Sequence, residues 1–328
     1  MDFELLNKAA RQGIISDQQA QALHAFILSE QKGSPKTEVT HSGESLKFMR
    51  SFGDVFIALG VLLLTYTSNE LAATTTHIGF AILGFVLISE WLVGHKRLVL
   101  PGITLLLSIL FFLNSIADSV TGPDSSLDVL AMSVASLLFY LRYKMPFSLY
   151  PVAVGSIYLV IKITGINVIE HPYLFIILGI AVFLVAMWYD SHDTQRVTSL
   201  SDNGFWLHLL AAPLIVHGVM VSLFLSPSGT AQINSLYILL LFTLFFFVAL
   251  FVDRRAILVS SFAYALYAVF KFAYQQFMQV DNLTLFIFMG IGLFVIFFGT
   301  YWYTVRAWIF SPISSLKMSQ WVPEFKKK

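Results

Sequence analysis

The chain has no cysteine and few charged residues. Without a thiol among its 328 residues, disulfides, thiolate metal sites and a nucleophilic cysteine are all excluded. Charged residues make up 12% of the chain, against about 25% in a soluble domain. What fills their place is apolar, at 57% of all residues, in several runs as long as the ~18 residues that a membrane-spanning helix needs. These runs are apolar on every face, which predicts a polytopic membrane protein built from helices.

The apolar runs predict an all-α bundle of about ten transmembrane helices built from antiparallel hairpins. Polar connections as short as GHKR and DRR make consecutive helices antiparallel neighbours. Together the helices form a predicted transmembrane domain over residues 51–304. The predicted helices are 51–67, 70–93, 98–117, 126–142, 146–163, 171–189, 204–225, 233–252, 256–276 and 283–304.

Three other segments flank this domain. Residues 1–30 have soluble-helix patterning and predict a cytoplasmic two-helix module, in which Ser16 and Gln19 form a capping box at the start of the second helix. Residues 31–50 are polar and predict a flexible linker. Residues 305–328 mix aromatic and basic side chains, which is typical of an amphipathic tail at a membrane surface.

Lysine and arginine are distributed unevenly between the two sides of the predicted bundle. All but two of the 20 lie on the side that holds the N-terminus, and the exceptions are Lys162 and Lys271. Because positive loops stay in the cytoplasm, both termini are predicted to be cytoplasmic.

The two exceptional lysines share a local pattern. Tyr158 precedes Lys162 in YLVIK, and Tyr267 precedes Lys271 in YAVFK, 109 residues later. Each pentapeptide ends a predicted helix that runs outward from a basic turn. The pattern predicts a parallel repeat of four helices, with a tyrosine and a lysine on the same helix face in each copy.

Three interpretations of this pattern remain open. Lys162 and Lys271 could be interfacial anchors that extend their ammonium groups to the lipid headgroups beside Tyr158 and Tyr267. They could instead meet in one vestibule and bind an anion, since a charge within a membrane segment is a candidate functional site. The third interpretation pairs them with acids of the same side. The acids considered are Asp118 and Glu170.

Two carboxylates are candidates for proton coupling. Glu90 lies about one turn inside the cytoplasmic end of the second predicted helix, where a buried carboxyl would titrate near neutral pH. The alternative for Glu90 is a structural carboxylate neutralised by His95 and Lys96. Asp54 is the second candidate, and its alternative is a surface pair with Arg50 four residues earlier.

No catalytic or cofactor motif occurs in the chain. The HExxH, GxSxG, P-loop and GxGxxG patterns are absent, so a membrane-embedded enzyme is the least favoured of the alternatives. No metal, cofactor or nucleic acid is expected. His77, His171, His208 and His217 are scattered and are expected to be packed or hydrogen-bonded. Residues 190–203 are interpreted as a solvated connector.

Glycine-rich stretches predict where helices pack closely, because small residues let backbones approach in lipid. The positions are residues 79–85 and 290–299, together with Gly53 and Gly60.

The N-terminal third resembles a family of bacterial predicted membrane proteins, domain of unknown function 2157. The resemblance is best over residues 1–115. It rests on GIISDQQAQAL at residues 13–23 and on GDVFIALGVLLL at residues 53–64. The resemblance implies a multi-pass protein of the bacterial inner membrane and brings no catalytic residues with it.

Two hypotheses of function follow. The first is a transporter or binding protein for a small anionic or amphipathic solute, with Lys162 and Lys271 as outer anchors. The second is a non-transporting sensor or assembly protein, in which residues 1–30 recruit a cytoplasmic protein or self-associate. Both place the chain in a lipid bilayer.

Overall fold

The computed structural model describes most of the predicted membrane domain and parts of the N-terminal segment. The described residues are 10–12, 15–21, 23–24, 51–122, 126–168, 170–224, 235–255, 257–259, 262, 266, 282–313 and 321–323. The chain divides into two compact units, Met1–Ser42 and Gly43–Lys328. Every regular element among the described residues is helical, which confirms the all-α prediction.

The first unit contains the predicted capping box. The backbone N–H of Gln19 donates to Ser16 Oγ at 3.2 Å, and the N–H of Ser16 donates to Gln19 Oε1 at 2.9 Å. Two N–H groups that the helix itself leaves unpaired are thereby satisfied. Ala20 on this helix is buried. The predicted linker, residues 31–50, lies outside the described residues.

Nine long helices are described in the second unit. Eight segments, in α1–α7 and α9, are long and apolar enough to cross a membrane. Large apolar side chains such as Leu63, Leu184 and Ile296 are exposed on them, as a lipid-facing surface requires. The chain is therefore an integral, multi-pass membrane protein. The helices are α1 (Phe52–Glu70), α2 (Thr75–Ser89, continued by a π-helical turn Glu90–His95), α3 (Val99–Thr121), α4 (Ser126–Tyr143), α5 (Leu149–Thr164, after a 3-10 turn Pro146–Ser148), α6 (Tyr173–His192), α7 (Ser199–Phe224), α8 (Ser235–Val252) and α9 (Asn282–Phe310).

The ten-helix count stays a prediction. Most of the predicted helix at 256–276 lies outside the described residues. The described part of α8 that is apolar, Leu240–Val252, is shorter than a membrane span.

Side-chain contacts bring several helix ends to one end of the bundle. Arg142 and Glu90 form an ion pair that joins the ends of α4 and α2. Asn203 Nδ2 donates to the hydroxyl of Tyr140 at 2.9 Å, which places the start of α7 beside the end of α4. α2 and α4 therefore run towards this end, and α7 runs away from it. The antiparallel hairpin arrangement of the whole bundle stays a prediction.

We call this the basic end, because it collects nearly all the described cations of the second unit. Its lysines and arginines are Lys96, Arg97, Arg142, Lys144, Arg196, Arg254, Arg255 and Arg306. Among the described residues of this unit, Lys162 is the one such side chain at the opposite end. That the basic end faces the cytoplasm stays a prediction.

Four turns at the basic end share one backbone feature. Each contains a residue other than glycine in the left-handed region, with φ between 53° and 59°. Glycine is the usual choice at such positions because it has no Cβ. Here the left-handed residues are charged instead, and the side chains of Lys144, Arg196 and Asp253 make contacts that glycine could not make. The four left-handed residues are Arg97, Lys144, Arg196 and Asp253.

Two helices form the centres of two apolar cores. Half of the span of α3 and half of that of α7 are buried, against 11 to 22% of the other spans. Leu105, Leu106 and Phe112 on α3 are fully buried in the first core. Val216 on α7 and Trp302 on α9 are buried in the second.

Close packing of glycine occurs where α6 meets α7, and not in the stretches that the sequence suggested. A Cβ on Gly218 would lie 2.9 Å from the backbone nitrogen of Ile176, and one on Gly179 would lie 3.0 Å from that of Ile215. The prediction for residues 79–85 and 290–299 was wrong: within the described part of the chain, a Cβ would meet no atom within 4 Å at the glycines there. These are Gly79, Gly84, Gly290, Gly292 and Gly299.

Candidate functional site

A buried carboxylate near the end of α6 forms the centre of an ionic cluster. Asp190 is 3% exposed and receives two hydrogen bonds from Arg254, from Nε to Oδ2 at 3.0 Å and from Nη2 to Oδ1 at 2.5 Å. His208 Nε2 lies 3.0 Å from the same Oδ2. A carboxylate only accepts, so Nε2 carries the hydrogen. We call Asp190, His208 and Arg254 the acid–imidazole–guanidinium cluster.

Arg254 connects three helices. It lies two residues after the end of α8 and pairs with Asp190 on α6. Its Nη2 also donates to the carbonyl oxygen of Ser201, in the first turn of α7, at 3.0 Å. Removing an arginine from water is costly, and a bidentate carboxylate pair is the arrangement that best offsets this cost. The side chain therefore fixes the relative positions of α6, α7 and the end of α8.

Gly204 makes room for the carboxylate. A Cβ at this position would lie 2.5 Å from Asp190 Oδ1 and 3.3 Å from the carbonyl oxygen of Ala186. Both distances are shorter than ordinary van der Waals contact, so any side chain on α7 here would displace Asp190. The glycine is a requirement of the cluster rather than of the helix.

The imidazole of His208 is fully buried and only partly satisfied. One face meets the edge of Phe183, with ring centroids 5.1 Å apart. Its Nδ1 has no hydrogen-bond partner among the described residues. The same holds for the amide oxygen of Asn203, one and a half turns earlier on α7. Buried polar atoms in proteins are normally paired, so an exception calls for an explanation in terms of function or a bound species.

A second buried carboxylate lies beside the first. Asp253 accepts a hydrogen bond at Oδ1 from Trp302 Nε1 on α9 at 2.7 Å. Its Oδ2 lies 3.0 Å from Arg196 Nη1, a distance that makes an ion pair although the alignment is poor for a hydrogen bond. Arg196 Nη2 also donates to the carbonyl oxygen of Asp253 at 2.8 Å. The turn before α7 is thus attached to the end of α8 and to α9.

Arg306 holds the end of α8 from the side of α9. It is buried, and its Nε donates to the carbonyl oxygen of Leu250 at 2.8 Å. Its Nη2 donates to the carbonyl oxygens of Phe251 at 3.1 Å and Pro323 at 2.8 Å. The last carbonyls of a helix lack partners within the helix and carry its negative dipole, so a cation is favoured there.

Asp193 caps the start of α7. Its Oδ2 accepts hydrogen bonds from the hydroxyl and the N–H of Thr198, at 2.7 and 2.9 Å, and from the N–H of Ser201 at 3.3 Å. Its Oδ1 accepts from the N–H of Val197 at 3.0 Å. Burial by itself would raise the pKa of Asp193, but these hydrogen bonds prevail and hold the pKa below its ordinary value.

The interpretation of residues 190–203 as a solvated connector holds for only part of the segment. Five of its residues, among them Gln195, are exposed. Asp190, Asp193, Ser201 and Asn203 are all buried. They are polar because they bind one another's backbone and the arginine of a distant turn, and not because they face water.

Of the lysine–tyrosine pattern, only the first copy is described. Lys162 and Tyr158 are exposed one turn apart near the end of α5. Tyr267 and Lys271 lie outside the described residues, so whether the two copies meet stays a prediction.

The acids considered as partners of the lysines have amide neighbours. Asp118 accepts a hydrogen bond from Asn114 at 2.8 Å, and Glu170 accepts one from Asn167 at 2.8 Å.

The two carboxylates predicted as proton-coupling candidates differ in burial. Glu90 is half-exposed, pairs with Arg142, and accepts a hydrogen bond from the hydroxyl of Tyr143 at 3.1 Å. Both partners come from α4, which the sequence did not predict. Asp54 is buried in the first turn of α1, with Ser51 Oγ at 3.4 Å from its Oδ1. Its proposed partner Arg50 lies outside the described residues.

Comparison with known proteins gives no precedent for this arrangement. No protein-family model, no curated protein and no solved structure matches the chain. Among the described residues, no group of three histidine, aspartate or glutamate side chains is arranged to hold a metal ion. The residues of the site are therefore the basis for its chemistry.

Sequence reasoning missed the acid–imidazole–guanidinium cluster, although one signal was present. Asp190, Ser201, Asn203 and His208 interrupt or border apolar runs, and Asp or His within a membrane segment is rare enough to indicate function. Arg254, which bonds Asp190 and Ser201, lies 64 residues from Asp190, and no local pattern connects the two.

Proposed function

We propose that the protein is an ion-coupled transporter of a small anionic or amphipathic solute, with the acid–imidazole–guanidinium cluster as its coupling centre. The observation that carries the proposal is the complete burial of these three ionisable side chains at one end of a bundle of membrane helices. Ionisable groups inside membrane proteins are expensive, and they typically mark ion and substrate pathways.

The arginine contacts within α6–α9 are suited to a conformational change. Arg254, Arg196 and Arg306 each join elements of α6–α9 through a few directional hydrogen bonds. Such bonds can be exchanged as a unit when one group of helices rocks against another. In this proposal the basic end opens when the Arg254–Asp190 pair breaks.

The charges at the basic end support an anionic solute. The basic end gathers arginines in its turns, which favours entry of an anion at that face. Lys162 lies at the opposite end of the bundle, where the described acids outnumber it. In this proposal Tyr158 and Lys162, with Tyr267 and Lys271, form the outer anchor, and the basic end faces the cytoplasm of a bacterial inner membrane. We further propose membership in the family that the N-terminal third resembles.

Reconstituted protein tests the proposal. Liposomes carrying the purified chain and an internal pH-sensitive dye would be exposed to a panel of mono- and dicarboxylates. We expect at least one carboxylate to drive proton movement, and Asp190→Asn to abolish it. Asp128→Asn, at the opposite end of the bundle, is the matched control and should retain it. The proposal fails if no carboxylate moves protons, or if Asp190→Asn transports as well as the parent chain.

The second candidate is a sensor or assembly protein that acts through its N-terminal unit. The division of the chain at residue 42 favours it, because Met1–Ser42 forms a compact unit with its own capped helix. Deleting residues 1–42 distinguishes the two functions. A transporter should keep its flux in liposomes after the deletion, whereas the sensor hypothesis expects no flux from either chain and loss of a binding partner from the shortened one.

A further inference from the structure

The most informative atom of the site is the buried Nδ1 of His208. We infer that this nitrogen is where the coupling proton binds, and that proton binding there and pairing of Arg254 with Asp190 are alternatives. The inference rests on the proposed function and extends it, because it names the coupling ion and the group that receives the solute.

The tautomer leaves Nδ1 ready to accept a proton. Nε2 carries a hydrogen because it faces Asp190 Oδ2 at 3.0 Å, so the neutral ring has its lone pair on Nδ1. This lone pair has no partner among the described residues, and the ring is fully buried. Histidine is also the side chain whose ordinary pKa lies closest to physiological pH.

The charges that face His208 come from three elements. Asp190 faces it from α6, Arg254 from the turn after α8, and Arg196 from the turn before α7. Arg196 is already paired with Asp253. The remaining anion, Asp190, serves both Arg254 and His208. Phe183 on α6 contributes an apolar ring edge to the same pocket.

One carboxylate cannot neutralise two buried cations. While Arg254 holds Asp190, a proton on Nδ1 would leave a second positive charge without a counter-ion in a site removed from water, which is strongly unfavourable. If the proton binds, Asp190 and the imidazolium form the neutral pair, and Arg254 is released. Loading of the proton therefore frees a guanidinium at the basic end.

The released guanidinium identifies the solute class. A guanidinium binds a carboxylate with two parallel hydrogen bonds, which is the geometry that Arg254 already has with Asp190. A solute carboxylate would replace Asp190 on Arg254, while the proton on Nδ1 replaces Arg254 on Asp190. One proton then accompanies one carboxylate, so a monocarboxylate would move without net charge.

Nitrogen NMR of the purified chain tests the proton site without any knowledge of the solute. The protein would be labelled with ¹⁵N-histidine, and the His208 signals assigned by their loss in His208→Gln. We expect the neutral parent ring to carry its hydrogen on Nε2. In Arg254→Met, which imitates release of the arginine, His208 should bind a proton at a pH at least one unit higher, a tenfold gain in proton affinity.

Matched variants separate this effect from general damage. Arg254→Lys keeps the positive charge and should therefore raise the proton affinity of His208 only slightly. Arg255→Gln removes a charge from the adjacent residue, whose guanidinium instead stacks on Trp302. It should change the proton affinity of His208 less than threefold. A neutral parent ring with its hydrogen on Nδ1, or an unchanged proton affinity in folded Arg254→Met, would overturn the inference.

Transport then tests the coupling. In His208→Gln the amide nitrogen can still donate to Asp190, but no titratable lone pair remains. We expect carboxylate flux to fall at least tenfold at both pH 6 and pH 8, because without a proton on Nδ1 Asp190 keeps Arg254 and no guanidinium is released for the solute. Flux that matches that of the parent chain would overturn the inference and leave the proposed function intact. No flux from the parent chain, together with the expected NMR result, would overturn the proposed function and leave the proton site intact.

Discussion

Two ion pairs occupy comparable places in the two halves of the bundle. Glu90 and Arg142 join the ends of α2 and α4, and Asp190 and Arg254 join the ends of α6 and α8. The side chains of the first pair are 49% and 64% exposed, whereas those of the second are 4% and 2% exposed. The same connection between alternate helices is thus a solvated surface contact in one half and a desolvated centre in the other.

The correspondence extends to the residue 18 positions after each acid. In the first half this is Ser108 on α3, whose hydroxyl lies 2.6 Å from Thr65 Oγ1 and donates to the carbonyl oxygen of Thr104. In the second half it is His208, bonded to Asp190. A neutral, satisfied hydroxyl therefore takes the place of a titratable, half-satisfied imidazole. Corresponding positions of the two halves thus hold a hydroxyl with its partners in the first half and an imidazole with one open nitrogen in the second.

The largest expected difference comes from removing the arginines. Arg254→Met leaves Asp190 buried with only His208 as a partner, which should cost about 3–5 kcal/mol of unfolding free energy. Arg142→Met should cost no more than about 1 kcal/mol, because both members of that pair are solvated. Unfolding in mixed micelles measures both. Equal losses in the two variants would remove the distinction between the pairs.

A methyl group beside each acid tests the packing without changing any charge. Gly204→Ala would force a Cβ to 2.5 Å from Asp190 Oδ1, so we expect a loss of about 1–3 kcal/mol. Gly94→Ala would put a Cβ 3.3 Å from Glu90 Oε1, where the half-exposed side chain can move away, and the change should stay within about 1 kcal/mol of zero. The same unfolding measurement applies. A Gly204→Ala protein as stable as its parent would show that the cluster is loosely packed.

Removing the hydrogen-bond donor that faces the second carboxylate, Asp253, should have an effect of similar size. Trp302→Phe keeps an aromatic side chain but removes the indole N–H, which leaves Asp253 Oδ1 without its 2.7 Å hydrogen bond. The expected cost is about 1–3 kcal/mol. Trp308→Phe, on the same helix with an exposed ring, is the control and should change stability by less than about 0.5 kcal/mol. If the control loses as much, the effect belongs to the indole ring and not to its contact with Asp253.

The smallest expected effect is a pH dependence carried by Asp193. Its pKa is lower in the folded chain than in the unfolded one, so its stabilisation is complete above the unfolded value of about 3.9. This contribution is lost as the pH falls below that value and through the folded pKa. Asn offers one acceptor oxygen where Asp193 offers two, so Asp193→Asn should lose stability at pH 6, by about 1 kcal/mol for the weakened hydrogen bonds, and the gap to the parent should close towards pH 3. A gap that is the same at both pH values would contradict the assigned hydrogen bonds.

The parts of the fold that sequence predicted well depend on local or additive properties. Hydropathy placed α4 at 126–142 against Ser126–Tyr143, and the capping box at Ser16 needs only a residue three positions away. The hydrogen-bonded state expected for His208 is confirmed, although its partner was not foreseen.

The errors arise where a distant partner changes the environment of a polar residue. The start of α7 was predicted at 204 but lies at Ser199, because its polar first turn is buried against Arg254 and Asp193 rather than solvated. Hydropathy scores each residue by itself and assigns such a turn to water. Arg254 was for the same reason counted only as a positive charge at the cytoplasmic side.

The most direct test of the account is a comparison of the two acids in reconstituted protein. Carboxylate-driven proton movement would be measured in liposomes for Asp190→Asn and Glu90→Gln, each shown to be folded by its elution in gel filtration. If Asp190 belongs to the coupling centre, we expect Asp190→Asn to lose at least ten times more of the proton movement than Glu90→Gln does. Retained movement in Asp190→Asn together with its loss in Glu90→Gln would place the coupling site at the exposed pair and contradict the account.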